Sequence, residues 1–345
     1  MKKRILTTIL ATGVLTAVLT GCGGADSSAG ADTGVAAESE ETADNGQTQG
    51  VEEASDSEES SDVEEQADAT EEEAGETEQA SDTAILVVSF GTSYNDSREV
   101  TIGAIEQDIA DAFPQYEVRR AFTSQIIIDK LKERDGLEID NVEEALDRAV
   151  DDGIKKLVVQ PTHLMNGFEY TDLADAVKNY EAKFDAIELG APLLDSEGDV
   201  ALVVKAITDK LKSYDDGKTA IVYMGHGTEA DSNGVYQILQ DTLTEEGFEN
   251  FYIGTVEATP SLDDVIAALK SNGGYEKVVL EPLMVVAGDH ANNDMAGDED
   301  DSWKSVLTKE GYEVECILEG LGQVPEIRSI YVSHTANAVS NLTAE

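Results

Sequence analysis

From residue 84 onward the chain reads as short runs that are apolar at nearly every position, separated by segments of helical periodicity. The runs are Ala84–Phe90, Glu117–Phe122, Lys155–Gln160, Ala186–Leu189, Thr219–Met224, Phe251–Val256, Lys277–Leu283 and Glu313–Leu318. A half-exposed strand alternates apolar with polar side chains, whereas a run without alternation is buried on both faces. Between the runs lie amphipathic segments such as Val100–Phe113, Val142–Asp152, Leu173–Phe184, Val200–Ser213 and Leu262–Ser271. Strands alternating with helices mean βαβ units, whose crossover helices make the sheet largely parallel and cover both of its faces. The predicted class is α/β.

The pattern repeats weakly within the chain. AILVVSFGTS at 84 resembles AIVYMGHGTE at 220, which sets Phe90 opposite His226. LVVQPTHLMNGFE at 157 resembles VVLEPLMVVAGDH at 278, which sets Gly167 opposite Gly288 and Glu169 opposite His290. Both matches run from a strand into a glycine-bearing turn, in the same order. We read two Rossmann-like lobes with parallel sheets, related by pseudo-duplication and facing each other across a cleft. Their boundary falls near residues 192–200, giving an N-terminal lobe at 84–195 and a C-terminal lobe at 196–345.

What precedes residue 84 is different in kind. Residues 23–83 hold 21 acidic residues, no Lys or Arg and almost no large apolar side chain. Such a stretch cannot bury enough apolar surface to offset chain entropy, so a disordered acidic tether is expected. Before it, Lys2, Lys3 and Arg4 lead into an apolar run at 5–19, too short for a comfortable membrane span. Leu19-Thr20-Gly21-Cys22 follows and resembles the bacterial lipobox. The expectation is a lipoprotein signal peptide at 1–21, lipidation at Cys22, and a lipid-anchored tether at 22–83. That would hold the folded part outside the cytoplasm, on the cell membrane. An ordinary secretory signal with an incidental cysteine is the alternative. The formal net charge is −49, and the part beyond the tether is still strongly negative. Nucleic acid needs a basic face and is excluded as a partner. Cys316, in VECIL, is the one cysteine of the folded part, so no internal disulfide forms there and a small core residue is expected.

Chemistry is signalled by the histidines. Of four, three directly follow apolar runs: His163 after KLVVQPT, His226 after AIVYMG and His290 after EPLMVVAGD. In open parallel sheets the carboxyl ends of the strands line the ligand crevice. His334 lies elsewhere and is assigned no role. His226 is flanked by Gly225 and Gly227, which leave room for approach and let the chain turn. Thr228, Glu229 and Asp231 could cap a helix beginning near Gly234. Glu257 closes the run FYIGTV, where a carboxylate needs a partner. Two imidazoles and one carboxylate suit a borderline divalent ion such as Co2+, Ni2+, Fe2+ or Zn2+. Their separations are too wide for a local metal motif, so only the fold can bring them together. Taken singly, each is more readily a satisfied polar loop residue.

The segments SFGTSYNDSR, RAFTSQIIIDKLKERDGLEIDNVEEAL, MGHG, EPLMVVAGDHANNDMAGDEDDSWK and GLGQVPEIR resemble the anaerobic sirohydrochlorin cobaltochelatases. These are class II chelatases of the ferrochelatase-like fold, and the likeness runs over about 84–340. It implies a tetrapyrrole cleft between the lobes. It also implies that His226, Glu257 and His290 hold the incoming cobalt, and that Glu169 lies in the same cleft. The expected activity is insertion of Co2+ into sirohydrochlorin, with no permanently bound cofactor and with Ni2+ or Fe2+ as possible substrate metals. His226 is expected to be main ligand and base, His290 to share either role, and Glu169 to take the other pyrrole proton. Anion donors for the ring carboxylates are sought in Gly91-Thr92-Ser93, Arg119, Arg120, Thr123 and Ser124. The expected partners are the tetrapyrrole, Co2+ and, through the anchor, the membrane; a homo-oligomer is left open. The lipobox and tether depart from the usual family pattern. They favour a second reading, a surface lipoprotein that binds cobalt, haem or another tetrapyrrole for uptake without catalysis. A hydrolase or a sugar-binding protein is a third class, but GxSxG, GxGxxG and GxxxxGK[ST] are all missing.

Overall fold

The computed structural model describes residues 82–343. The expected signal peptide, Cys22 and all but the last two residues of the expected tether lie outside the described residues.

Eight strands form at the eight apolar runs, with ends within two residues of those read from the sequence: β1 (Thr83–Ser89), β2 (Glu117–Phe122), β3 (Lys156–Pro161), β4 (Ala186–Leu189), β5 (Thr219–Gly225), β6 (Phe251–Thr255), β7 (Lys277–Pro282) and β8 (Glu313–Cys316). All pairings are parallel. The strands make two four-stranded sheets, ordered β2-β1-β3-β4 and β6-β5-β7-β8. The second order is the first displaced by four strands, and the register repeats with it. Thr83 to Val88 face Lys156 to Pro161, as Thr219 to Met224 face Lys277 to Pro282. This register reproduces the alignment read from the internal repeat.

The helices are α1 (Asn95–Arg98), α2 (Ala104–Ala112), α3 (Gln125–Asp135), α4 (Val142–Asp151), α5 (Phe168–Tyr180), α6 (Glu197–Leu211), α7 (Val235–Glu245), α8 (Leu262–Asn272), α9 (Trp303–Lys309) and α10 (Pro325–Thr343). Capping boxes start α4 at Asn141, α6 at Ser196 and α8 at Ser261, each satisfying backbone donors reciprocally. The single helix expected over 100–113 forms as part of a continuous helical stretch from Asn95 to Ala112 that carries a π-helical turn at Glu99–Gly103. A helix does begin near Gly234, but its Gly234 N-cap makes no side-chain cap bond.

Central strands bury both faces, as their unalternating sequences require. Ile85, Val87 and Val158 of the first sheet share one continuous core with Ile221, Tyr223 and Val279 of the second and with the apolar faces of α6 and α10. On its other face the first sheet packs Leu86, Val88 and Val159 against α4 and α5. Val222, Met224 and Leu280 do the same beneath α8 and α9. Each such side chain contributes roughly 1.5–3 kcal/mol by leaving water. The edge strands β2, β4 and β8 are only partly buried, so their expected two-faced burial does not hold.

The last helix departs most from the division at residue 195/196. The α10 helix buries Ile327, Ile330, Tyr331, His334, Thr335, Ala338 and Leu342 along one stripe. It lies chiefly on α2, β3 and β4 of the first lobe and on α6. The Tyr331 hydroxyl donates to the Thr162 carbonyl at 2.8 Å, and Thr335 Oγ1 donates to Gln160 Oε1 at 3.2 Å. Arg328 Nε donates to Asp108 Oδ2 at 2.6 Å. His334 is therefore not idle. It is buried, and its Nε2 donates to Asp199 Oδ1 at 3.2 Å, the same aspartate that closes the α6 capping box.

His334→Ala leaves the half-buried Asp199 carboxylate oxygen without its donor. The expected cost is about 1–3 kcal/mol of folding free energy, read as a lowered thermal midpoint. Metal insertion at the remaining folded fraction should be unchanged.

Candidate metal centre

Backbone pairing carries the site beyond the ends of the strands. After β5 and β6 the ladder continues, with Val256 N donating to Gly225 O at 3.0 Å and Glu257 N donating to His226 O at 2.9 Å. His226 and Glu257 are thereby set side by side. Gly225 cannot carry a Cβ, because that atom would run into the Tyr236 ring. Gly227 turns the chain at φ +88°, and a Cβ there would lie 2.8 Å from Ala258. Its N–H donates to the Tyr236 hydroxyl at 3.2 Å, which ties the turn to α7.

From β7 the chain runs on past Leu283, whose N–H donates to Met224 O at 2.8 Å. The carbonyls of Met284 and Val285 then accept from Leu321 N and Gly322 N. Asn292 closes the following turn by donating from Nδ2 to Gly288 O at 2.7 Å. That turn holds His290. As a result, the ligand atoms of His226, Glu257 and His290 all lie within 4.8 Å of one another. The two imidazoles meet edge to face, centroids 4.7 Å apart.

The outer hydrogen bonds assign the tautomers. His226 Nδ1 lies 2.8 Å from the Gly227 carbonyl, which can only accept, so Nδ1 carries the proton. His290 Nδ1 lies 2.7 Å from Asp294 Oδ2 and donates likewise. Both Nε2 lone pairs are left for a cation, the arrangement by which outer partners orient metal-binding imidazoles. Asp294 was not singled out in the sequence, although a carboxylate four residues after a histidine shares its helical face. Glu257 Oε2 stands 3.6 Å from His226 Nδ1. All three side chains reach solvent, so an ion held here keeps open positions and can be passed on.

The first lobe supplies the facing wall. Gly167, the N-cap of α5, is close enough to the second lobe that a Cβ on it would lie 3.8 Å from Ser232 Oγ. Glu169, in the first turn of α5, is half exposed. Burial raises its carboxyl above the ordinary carboxylate range, opposed by the charge of His226 and reinforced by Asp172. Beneath it lies His163, whose side chain is 6% exposed, with Nε2 3.7 Å from Glu169 Oε2. Burial pushes its pKa down to about 4. Neither ring nitrogen has a hydrogen-bond partner among the described residues. Leaving such a group unpaired costs roughly 1–3 kcal/mol. Phe90, the register twin of His226, and Phe168, beside Glu169, are both largely exposed.

The expected anion donors fare less well. Arg119 is taken by Glu117 and Asp152, each at 2.7 Å, and Arg120 by Glu106. Thr92 and Ser93 are buried, and Thr92 Oγ1 already accepts from Tyr94 N. Sequence spacing showed these cations but not the carboxylates that the fold places beside them.

Two parallel-sheet lobes of one repeated topology, with strand-end histidines and a glutamate gathered in the second, define a chelatase-like α/β protein. The fold is similar to that of SirB from Bacillus subtilis with Fe3+, at TM-score 0.55 and 15% identity, covering 75% of this chain and 96% of that one. The sirohydrochlorin chelatase SirB from Bacillus subtilis subspecies spizizenii, in complex with cobalt, gives TM-score 0.50 and 14% identity with the same coverage. More specifically, the chain belongs to the family described as cobalt chelatase (CbiK), whose family model matches residues 83–340. It is 38% identical over 262 residues to the sirohydrochlorin cobaltochelatase of Salmonella typhimurium, covering 76% of this chain and 98% of that protein. It is 33% identical over 260 residues to the sirohydrochlorin cobaltochelatase CbiKC of Nitratidesulfovibrio vulgaris, covering 75% and 91%.

If Asp294 orients His290 as the geometry indicates, Asp294→Ala should weaken Co2+ binding by about 10–100-fold, measured by calorimetry. The circular dichroism spectrum should not change.

Proposed function

We propose that this chain inserts Co2+ into sirohydrochlorin, as its two curated relatives are named for doing. One observation carries the reading. Two imidazoles and a carboxylate, about thirty residues apart in the chain, converge within 4.8 Å at the strand ends of one lobe.

The chemistry asks three things of the protein. The ion must be held by few ligands, two pyrrole N–H protons must leave, and the ring must bend so that nitrogen lone pairs meet the metal. His226, Glu257 and His290 hold Co2+ through two neutral nitrogens and one oxygen, leaving positions open for ring nitrogens. The products are the metallated ring and two protons. Glu169 takes one proton at its carboxylate, and its raised pKa makes it the stronger base for that step. Once the ion has passed to the ring, the freed Nε2 of His226 takes the other proton, with that of His290 able to share the role. Exposed Phe90 and Phe168 offer flat apolar surface for the macrocycle. Ni2+ and Fe2+ suit the same donors as substrate metals.

We propose further that the chain works outside the cytoplasm, anchored through a lipid on Cys22. The support is the basic start, the apolar run at 5–19 and the small residues before that cysteine. Among the described residues no helix is long and apolar enough to cross a membrane. An anchor on a chelatase gives weight to the second reading, capture of a metal or tetrapyrrole for uptake. A ring bound but unmetallated after long incubation with Co2+ would establish that reading in place of the first.

His226→Ala should lower Co2+ insertion by about 10²–10⁴-fold, since a ligand and a base go together, while the thermal midpoint stays near that of the wild type. Absorbance of the metallated ring is the measure. Separately, Cys22→Ala should move the expressed protein from the membrane fraction to the soluble fraction. An unchanged distribution would refute the anchor.

A further inference from the structure

We propose that His163 is a positioning residue, donating its Nε2–H to Glu169 and so aiming that carboxylate across the cleft at the ring nitrogens. The inference rests on the chelatase reading above and deepens it.

The first support is placement. The His163 ring lies under Glu169, with Nε2 3.7 Å from Oε2, and Glu169 itself is half exposed. A small rotation of that carboxylate closes the gap to a hydrogen bond, as bonds of this kind tighten when substrate fills a site. A second support is that both ring nitrogens are buried without a hydrogen-bond partner among the described residues. Buried polar atoms are ordinarily paired, and one that is not calls for a reason other than packing.

The duplicated lobe provides a third support, as an internal control. Thr162 N donates to Val88 O, as Leu283 N donates to Met224 O. The His163 carbonyl accepts from Leu193 N, as the Met284 carbonyl accepts from Leu321 N. Met284 thus stands where His163 stands, so this backbone position takes an apolar side chain in the other lobe. There the twin of Glu169 is His290, whose orienting partner is Asp294, and no donor is needed beneath it. Burial keeps the His163 ring uncharged near neutral pH, so it donates a hydrogen bond without competing for the released proton. The proton leaves the pyrrole nitrogen for a Glu169 oxygen, and His163 retains its own N–H throughout.

The test uses the full chain. His163→Met installs the other lobe's side chain. Its thermal midpoint should equal or exceed that of the wild type, while kcat for Co2+ insertion falls at least about tenfold. KM for each substrate should stay within about twofold. His163→Gln, whose amide N–H reaches near the Nε2 position, should recover most of the lost kcat. In a Glu169→Gln background, His163→Met should add no further loss, because the carboxylate it would aim is gone. A His163→Met protein with wild-type kcat overturns the proposal. So does a loss that only tracks the thermal midpoint, or one that multiplies fully with Glu169→Gln. A wild-type chain that binds Co2+ and sirohydrochlorin yet inserts no metal sinks the chelatase reading instead, and this role with it.

Discussion

Parallel pairing forces every strand of a sheet to end on the same side, and the hydrogen-bond ladder between β5 and β6 does not stop where the strands do. The donation from Glu257 N to His226 O fixes two candidate ligands as neighbours before any side chain is considered. β7 lies on the other side of β5, and its continuation brings His290 back to the same end. The centre is therefore a property of sheet register. Moving one strand by a single residue would turn its side chains to the opposite face and disperse the cluster. Glycines at 225 and 227 serve this closeness, one against Tyr236 and one against Ala258.

The two lobes share topology and register but spend their equivalent positions differently. Phe90 stands opposite His226, Glu169 opposite His290 and His163 opposite Met284. One lobe thus gathers donors for a cation, while the other presents a carboxylate and exposed aromatic surface. Electrostatics couple the walls, since protonation of His226 would act to lower the pKa of the Glu169 carboxyl. The buried side chains of Gln160 and Glu281 show the same divergence at a position deep in each sheet. Gln160 bonds to backbone carbonyls and Thr335, whereas Glu281 is paired with Lys210.

Much of this was legible in the residues. Unalternating apolar runs such as AILVVS and AIVYMG mark the buried central strands, and all eight strands form where runs were read, although the edge strands β2, β4 and β8 are only partly buried. The convergence of His226, Glu257 and His290 follows once they are seen to sit at strand ends, because the topology supplies the rest. What escaped depends on contacts between distant segments. Nothing near Arg120 in the sequence points to Glu106. The π-helical turn at 99–103 has no composition of its own. Most of all, α10 reads as a helix of mixed character, with its apolar residues in a stripe that has meaning only against α2, α6, β3 and β4. His334 looked peripheral for that reason.

That closing helix binds the two lobes into one fate. Ile327, Tyr331 and Ala338 lie far along the chain from the first sheet, yet they share its core. Without them the inner face around Ile85, Val87 and Val158 loses part of its cover, so the first lobe does not complete its core from its own residues. A cut at the linker between the halves would then release two incomplete bodies, not two working domains. Symmetry in the backbone has not made the halves separable.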